Sequence, residues 1–162
     1  MKNQQLKGFT LIEIITVLFV VSLGLIGVLS LIIQNIQSQS INRRSIIAYQ
    51  LAQEGIELVR KTRDSNWANG DIWNKNLVSG SYYMDPLDSI PQVMSNFNQA
   101  TLYKNDDGLY VHESGVTSTP YKRIIMIENL SAYSMRVYSR VVWSDRDKVF
   151  YYDLETLLYD WY

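Results

Sequence analysis

Lys7-Gly8-Phe9-Thr10-Leu11-Ile12-Glu13, followed by the uncharged run Ile14–Ile33, decides how this chain folds. Upstream lie Met1–Leu6, short and polar, with Lys2 and Lys7 as the basic residues and no acid before Glu13. From Phe9 to Ile33 the chain is almost wholly apolar, and Glu13 is its only charge. Ile14–Ile33 amounts to 20 residues. As a helix such a run measures about 30 Å, the thickness of a bilayer's hydrocarbon core. Many of these residues are Ile or Val, which favour helices little in water. In lipid the backbone has to satisfy itself, so the run is expected to be helical regardless.

The helical pattern outlasts the apolar run. No Pro occurs from Gln34 to Asp64, and Ile47, Ala48, Leu51, Ala52, Ile56, Leu58 and Val59 recur at spacings of three and four. That is one wide stripe on a helix. Glu57 with Lys61, and Arg60 with Asp64, are expected as i,i+4 pairs on its wet side. Gly55 lies within the stripe, where it costs about 1 kcal/mol relative to Ala but admits the close approach of another element. Asp64-Ser65-Asn66 reads as a stop, so one helix is expected from about Phe9 to about Asp64.

Beyond Asn66 the composition shifts to Gly, Asn, Asp, Ser and Tyr, and all 3 prolines fall before Tyr121. Thr101–Lys104, Asn105-Asp106-Asp107-Gly108 and Leu109–His112 read as a hairpin, Asp-Gly marking its turn. Strands are expected at Tyr121–Glu128, Ser134–Trp143 and Lys148–Leu154. In the second, Met135, Val137, Val141 and Trp143 share a face by period two. The turn Ser144-Asp145-Arg146-Asp147 makes the last two an antiparallel pair. Both the helical stripe and the sheet's inner face need cover, and packing one on the other gives an α+β fold: a long N-terminal helix whose second half packs on a small antiparallel sheet.

Composition excludes several classes of function. The 162 residues suit one small domain plus an appendage, and the absence of Cys removes disulfides, thiolate metal sites and cysteine nucleophiles. A formal charge of -1 gives no bulk basic character. The cluster Arg60, Lys61 and Arg63 is diluted by Glu57 and Asp64, and acids outnumber bases after it, so no nucleic-acid partner is expected. His112 with Ser114 and Asp106 or Asp107 could be imagined as a nucleophile site, but scattered Ser and Asp at a turn are ordinary turn chemistry. Asp85/Asp88 and Asp145/Asp147 could be imagined as calcium ligands, yet they lack the spacing of an EF-hand loop and read as solvated loop acids. No catalytic set, cofactor or metal site is expected, and the reading is non-enzymatic.

The stretch Lys7–Ile33 resembles the start of the type IV pilin superfamily: a short basic leader, a Gly before an aromatic, a Glu at the fifth residue after that Gly, then an apolar span. Ala52-Gln53-Glu54-Gly55-Ile56-Glu57 and the closing strands ending near Trp161 are similar to minor pilins. The resemblance implies cleavage between Gly8 and Phe9 by a prepilin peptidase on the cytoplasmic side, N-methylation of Phe9, and assembly with other pilin subunits through an inner-membrane assembly platform. It divides the chain into a cleaved leader (1–8), the membrane-spanning and filament-core half of the helix (9–33), its amphipathic half (34–66) and an extracytoplasmic β-sheet head (67–162). The N-terminus is expected in the cytoplasm before assembly, and the product is a cell-surface or periplasmic filament.

Physical arguments bear on the same residues. A residue without a side chain lets an extended backbone enter a tight protease site, which suits Gly8. A carboxylate in a bilayer costs about 2.5–3.5 kcal/mol on insertion scales and needs a partner. For Glu13 the nearest cation is the amine of a processed Phe9, its own or a neighbour's; a neighbour's would set the axial register between subunits. The alternative is that Glu13 snorkels to the headgroups. Gly24, Gly27 and Ser30 suit close helix packing but also ordinary membrane-helix composition. The span lacks the helix-breaking Pro of many filament-forming pilins. Two other readings stay open: a pseudopilin of type II secretion, and an uncleaved membrane-anchored extracytoplasmic binding protein. The acid within the span and the Gly8-Phe9 junction argue against the second.

Overall fold

The computed structural model describes residues 8–112 and 117–161. Lys2, Lys7 and Ser114 lie outside the described residues. One helix, α1, runs from Leu11 to Ala68. The chain forms two compact units, the first ending at Asn42 and the second beginning at Arg43.

In the first unit the helix starts where its orphan amides find acceptors: Glu13 N donates to Thr10 O at 3.1 Å and to Thr10 Oγ1 at 3.4 Å. Thr10 is the N-cap, and Thr10-x-x-Glu13 has the spacing of a capping box. The apolar side chains from Leu11 to Ile36 are exposed all round. One 18-residue window reaches a mean hydropathy of 2.7, long and apolar enough to cross a membrane. The hydroxyls in this stretch bond inward to their own helix: Thr16 to Ile12 O, Ser22 to Leu18 O and Ser30 to Ile26 O. Backbone carbonyls thus satisfy them without water.

In the second unit the later part of α1 packs on an antiparallel sheet of seven strands: β1 (Gly80–Tyr83), β2 (Gln92–Val93), β3 (Thr101–Lys104), β4 (Tyr110–Val111), β5 (Thr117–Ser131), β6 (Ser134–Asp145) and β7 (Lys148–Tyr159). β5 is the hub. One of its edges pairs with β6, and the other is shared end to end by β3 and β1, which in turn pair with β4 and β2. Among the described residues β7 pairs only with β6, in register from Ser134↔Tyr159 to Asp145↔Lys148. The expected strands are all present: β5, β6 and β7 run longer than read, β3 has the expected bounds, and β4 is shorter than Leu109–His112. β1, β2 and the 3₁₀ turn Phe97–Ala100 lie in the stretch where the sequence carries little periodicity.

The helix ends four residues beyond the expected stop. Asn66 is buried and its amide donates to Trp73 O and Lys75 O, so it ties down the following loop instead of ending its own helix. The end comes at Gly70 (φ 71), with Asp71 N bonded to Asn66 O and Gly70 N to Trp67 O. This is a Schellman closure with glycine at its left-handed position. The expected i,i+4 pairs do not form. Glu57 binds Arg60, Asp64 binds Arg63, and Lys61 reaches over to the carbonyls of Pro86 and Asp88. Sequence spacing makes these residues neighbours on the helix, but tertiary acceptors and the burial of Arg63 redirect them.

Two apolar clusters fill the helix–sheet interface, one around Val59, Ile125, Ile127 and Val137, the other around Ala52, Leu102, Val141 and Trp143. Between them runs a polar belt. Arg123, fully buried on β5, passes beneath the helix. It meets Glu54 Oε1 at 3.3 Å, Leu51 O at 3.4 Å and Met84 O at 2.7 Å. Buried Ser139 on β6 lies beside it. Gly55 makes this possible: a Cβ there would overlap Ser139 Oγ and sit 3.2 Å from Ser139 Cβ and 3.3 Å from Arg123 Cδ. Replacing Gly55 by Ala should therefore destabilise the head by about 1–3 kcal/mol, although Ala is the better helix former. Ser139→Ala in the Gly55→Ala background should recover part of the loss. Thermal unfolding of the detergent-solubilised chain reads both changes, and a Gly55→Ala variant as stable as the wild type would refute the close-approach role.

Candidate functional site

Gly8, Phe9 and Glu13 occupy the start of the chain. A Cβ at Gly8 would meet nothing within 4 Å, so no tertiary contact in this structure demands glycine there. Phe9 is 80% exposed and precedes the Thr10 cap. Four residues on, Glu13 lies in the first turn of α1, where a carboxylate is favoured by the helix dipole. Phe9, Glu13, Ile14, Val17 and Leu18 line one shallow depression of about 230 Å³ whose exposed lining is apolar. Glu13 and Phe9 thus share a side of the helix, with a single carboxylate at the head of an apolar surface. The capping role of Thr10 goes beyond what the sequence alone suggested, although the Thr-x-x-Glu spacing is visible in it. Gly24 and Gly27 also face open space.

The remaining polar candidates are engaged in other ways. His112 is joined to Asp85, not to Asp106 or Asp107. Its backbone N–H donates to both Asp85 oxygens at 3.0 Å, and its Nδ1 faces Asp85 Oδ1. An ionised carboxylate only accepts, so Nδ1 carries the proton. Asp88 accepts the Asp85 N–H, which closes the loop between them. The pair links the hairpin of β3 and β4 to the segment after β1. Asp145 pairs with Arg44 at 3.1 Å and so fixes α1 to the turn between β6 and β7. Arg146 and Asp147 both take positive φ there, as a two-residue I′ turn requires. Among the described residues no group of three or more His, Asp or Glu side chains is placed to hold a metal ion. Arg63, the centre of the basic cluster, is buried with its guanidinium over the rings of Trp67 and Trp161 at 4.6 and 4.3 Å, and the two indoles also touch each other at 4.8 Å between centroids.

Burial pushes the Asp85 carboxyl up, but hydrogen bonds from the His112 ring and backbone, with the charges of His112 and Arg123, hold it below its ordinary 3.8. A carboxyl so depressed stabilises the fold fully above that ordinary value and ceases to do so as pH falls through the lowered one. Asp85→Asn should therefore lower the unfolding midpoint at neutral pH, by about 1–3 kcal/mol for the buried donors left poorly paired. It should also flatten the acid limb of the stability profile. Identical acid limbs for variant and wild type would show that Asp85 is not the group involved.

Comparison with known proteins bears on the first of these sites. Residues 4–29 match the family model of the prokaryotic N-terminal methylation motif. No curated protein and no solved structure matches the chain. The motif is the leader of type IV prepilins; it implies processing by a prepilin peptidase and assembly with other pilins, and the apolar helix supports membrane anchoring. The match to the methylation motif, a long N-terminal helix and a curled antiparallel sheet packed on that helix together support a type IV pilin- or pseudopilin-like protein.

Proposed function

We propose that the chain is a structural, non-enzymatic subunit of a type IV pilus-like filament, in the role of a minor pilin. It is cut between Gly8 and Phe9, methylated at the new Phe9 amine, and assembled through Glu13. The observation that carries this reading is a lone carboxylate one turn into an apolar helix, on the same side as Phe9 and within the matched motif. In a bundle of such helices the Phe9 amine of one subunit is the natural counter-charge for Glu13 of another. The leader (1–8) is removed and Phe9–Ile33 forms the membrane anchor and later the filament core. The remainder of the helix and residues 67–162 stay outside the membrane. A type II secretion pseudopilin shares the leader and the Glu13 logic, and the machine served distinguishes the two.

Gly8→Val should block leader removal, because the added side chain intrudes where the extended backbone enters the protease. Intact-mass measurement of the membrane pool would show a retained leader and an unmodified Phe9. Normal processing would place the junction elsewhere, and an unprocessed wild type would favour the uncleaved anchor.

Glu13→Val should leave membrane insertion intact while excluding the subunit from filaments. Breaking a buried charge pair costs about 3–5 kcal/mol, more than a hundredfold in incorporation. Glu13→Gln should be intermediate, since it hydrogen-bonds without neutralising the amine. The readout is the subunit's abundance in sheared filaments relative to the membrane pool. Equal incorporation of Glu13→Val and wild type would leave Glu13 with only a helix-capping or snorkelling role.

A further inference from the structure

The inward-facing rows of the sheet are not equally covered. On β5, Tyr121, Arg123, Ile125 and Ile127 are buried, and on β6 so are Met135, Val137, Ser139, Val141 and Trp143. On β7 the corresponding row, Phe150, Tyr152, Leu154 and Thr156, is only half-buried, and Leu158 alone is fully covered. The helix therefore leaves the core unfinished along one edge.

That edge is also unpaired. Among the described residues β7 bonds only to β6, so along 12 residues its other side offers backbone N–H and C=O groups to solvent. Proteins usually blunt such an edge with a proline, a bulge, an inward-pointing charge or a very short strand. Within Lys148–Tyr159 there is no Pro, the register with β6 is unbroken, and no inward-facing residue from Phe150 to Leu158 is charged. Asp153 and Glu155 point outward, where Arg140 and Arg136 neutralise them. Beside the edge lies a groove of about 370 Å³ between Gln53, Ile56, Glu57 and Arg60 of the helix and Leu154–Thr156 of β7.

We infer that β7 is a docking edge for an extended strand of a different polypeptide, which joins the sheet as an eighth strand. A row of free amides and carbonyls is complementary to another extended backbone, and the groove takes the alternate side chains that such a strand turns inward. Ile56 and Leu154 line it together with Gln53, Glu57, Arg60 and Thr156, so it suits small side chains, apolar or hydroxyl-bearing, that tolerate polar neighbours. The neutralised outward face asks for no strong charge. A second copy of this chain fits poorly. Its other free edges, β2 and β4, are two residues long, and pairing β7 with β7 imposes a two-fold axis. A two-fold contact is closed, whereas subunits in the proposed filament all point one way; this last argument alone rests on the filament reading.

The test uses the full chain in detergent and, as probe, a short synthetic peptide of alternating valine and threonine with lysine at each end. The peptide should bind and slow hydrogen exchange of the β7 amides while leaving β2 and β4 unchanged. N-methylation of alternate peptide amides should weaken binding about tenfold or more, as should Thr156→Lys, which puts an inward charge at the groove. Binding indifferent to N-methylation, or no β7 protection, would overturn the inference. So would β7 protection that rises with the protein's own concentration and without peptide, because the edge would then belong to a second copy. The peptide modification leaves the protein untouched, so a folding defect in Thr156→Lys does not blur the result. Absence of the subunit from sheared filaments would count against the filament reading while these binding results stood.

Discussion

The distance of closest approach between helix and sheet at Gly55 is the constraint on which the head depends. With no side chain there, Ser139 and the stem of Arg123 fit beneath the helix. The guanidinium then reaches Glu54, a helix carbonyl and the carbonyl of Met84 at once. The two apolar clusters on either side share this belt and inherit its spacing. A buried cation is tolerable only while its partners are in place, and losing one costs about 3–5 kcal/mol. The glycine that looks like a weak point in the helix is therefore what fixes where the sheet sits against it.

Along one continuous helix the side chains meet two different demands. From Ile14 to Ile33 every direction is apolar or hydroxyl-bearing, and the hydroxyls that interrupt the run are turned back onto their own carbonyls. From Ala48 to Asn66 only one stripe is buried, and polar residues populate the rest. The first pattern suits a surround that is hydrocarbon or other apolar helices, the second suits water on one side and a sheet on the other. Glu13, just before the first pattern, is the only charged residue from Phe9 to Ile33. Every other group there is indifferent to which apolar surface it faces.

Much of this was legible in the sequence because the signals were local and periodic. The apolar run, the stripe around Leu51 and Val59, the alternate row on β6 and the Asp-Gly hairpin each follow from spacings within one element. What escaped reading depended on partners far along the chain. Asn66 looks like a terminator but is engaged by the carbonyls of Trp73 and Lys75. Arg63 and Lys61 look like surface charges, yet one is buried against two indoles and the other bonds across to the loop after β1. β1 is a short strand whose pairing is set by β5, more than forty residues later. The joining of His112 to Asp85 spans 27 residues, and nothing in either neighbourhood announces it. At the N-terminus the motif is legible because it is contiguous, and the Thr10 cap within it becomes evident once Thr10 Oγ1 is placed against the Glu13 N–H.

The stacking of Trp161 on Arg63 joins the last turns of the helix to the residues just beyond β7. Leu158, just before it, completes the apolar cluster under the same part of the helix. The helical element that opens the head thus receives part of its cover from β7 and the residues beyond it. The head closes like a loop whose two ends must meet, and the entropic cost of that closure extends over nearly its entire length. An insertion beside Trp161 would act on the seam that holds the helix, while one in the loop after β3 would leave that seam alone.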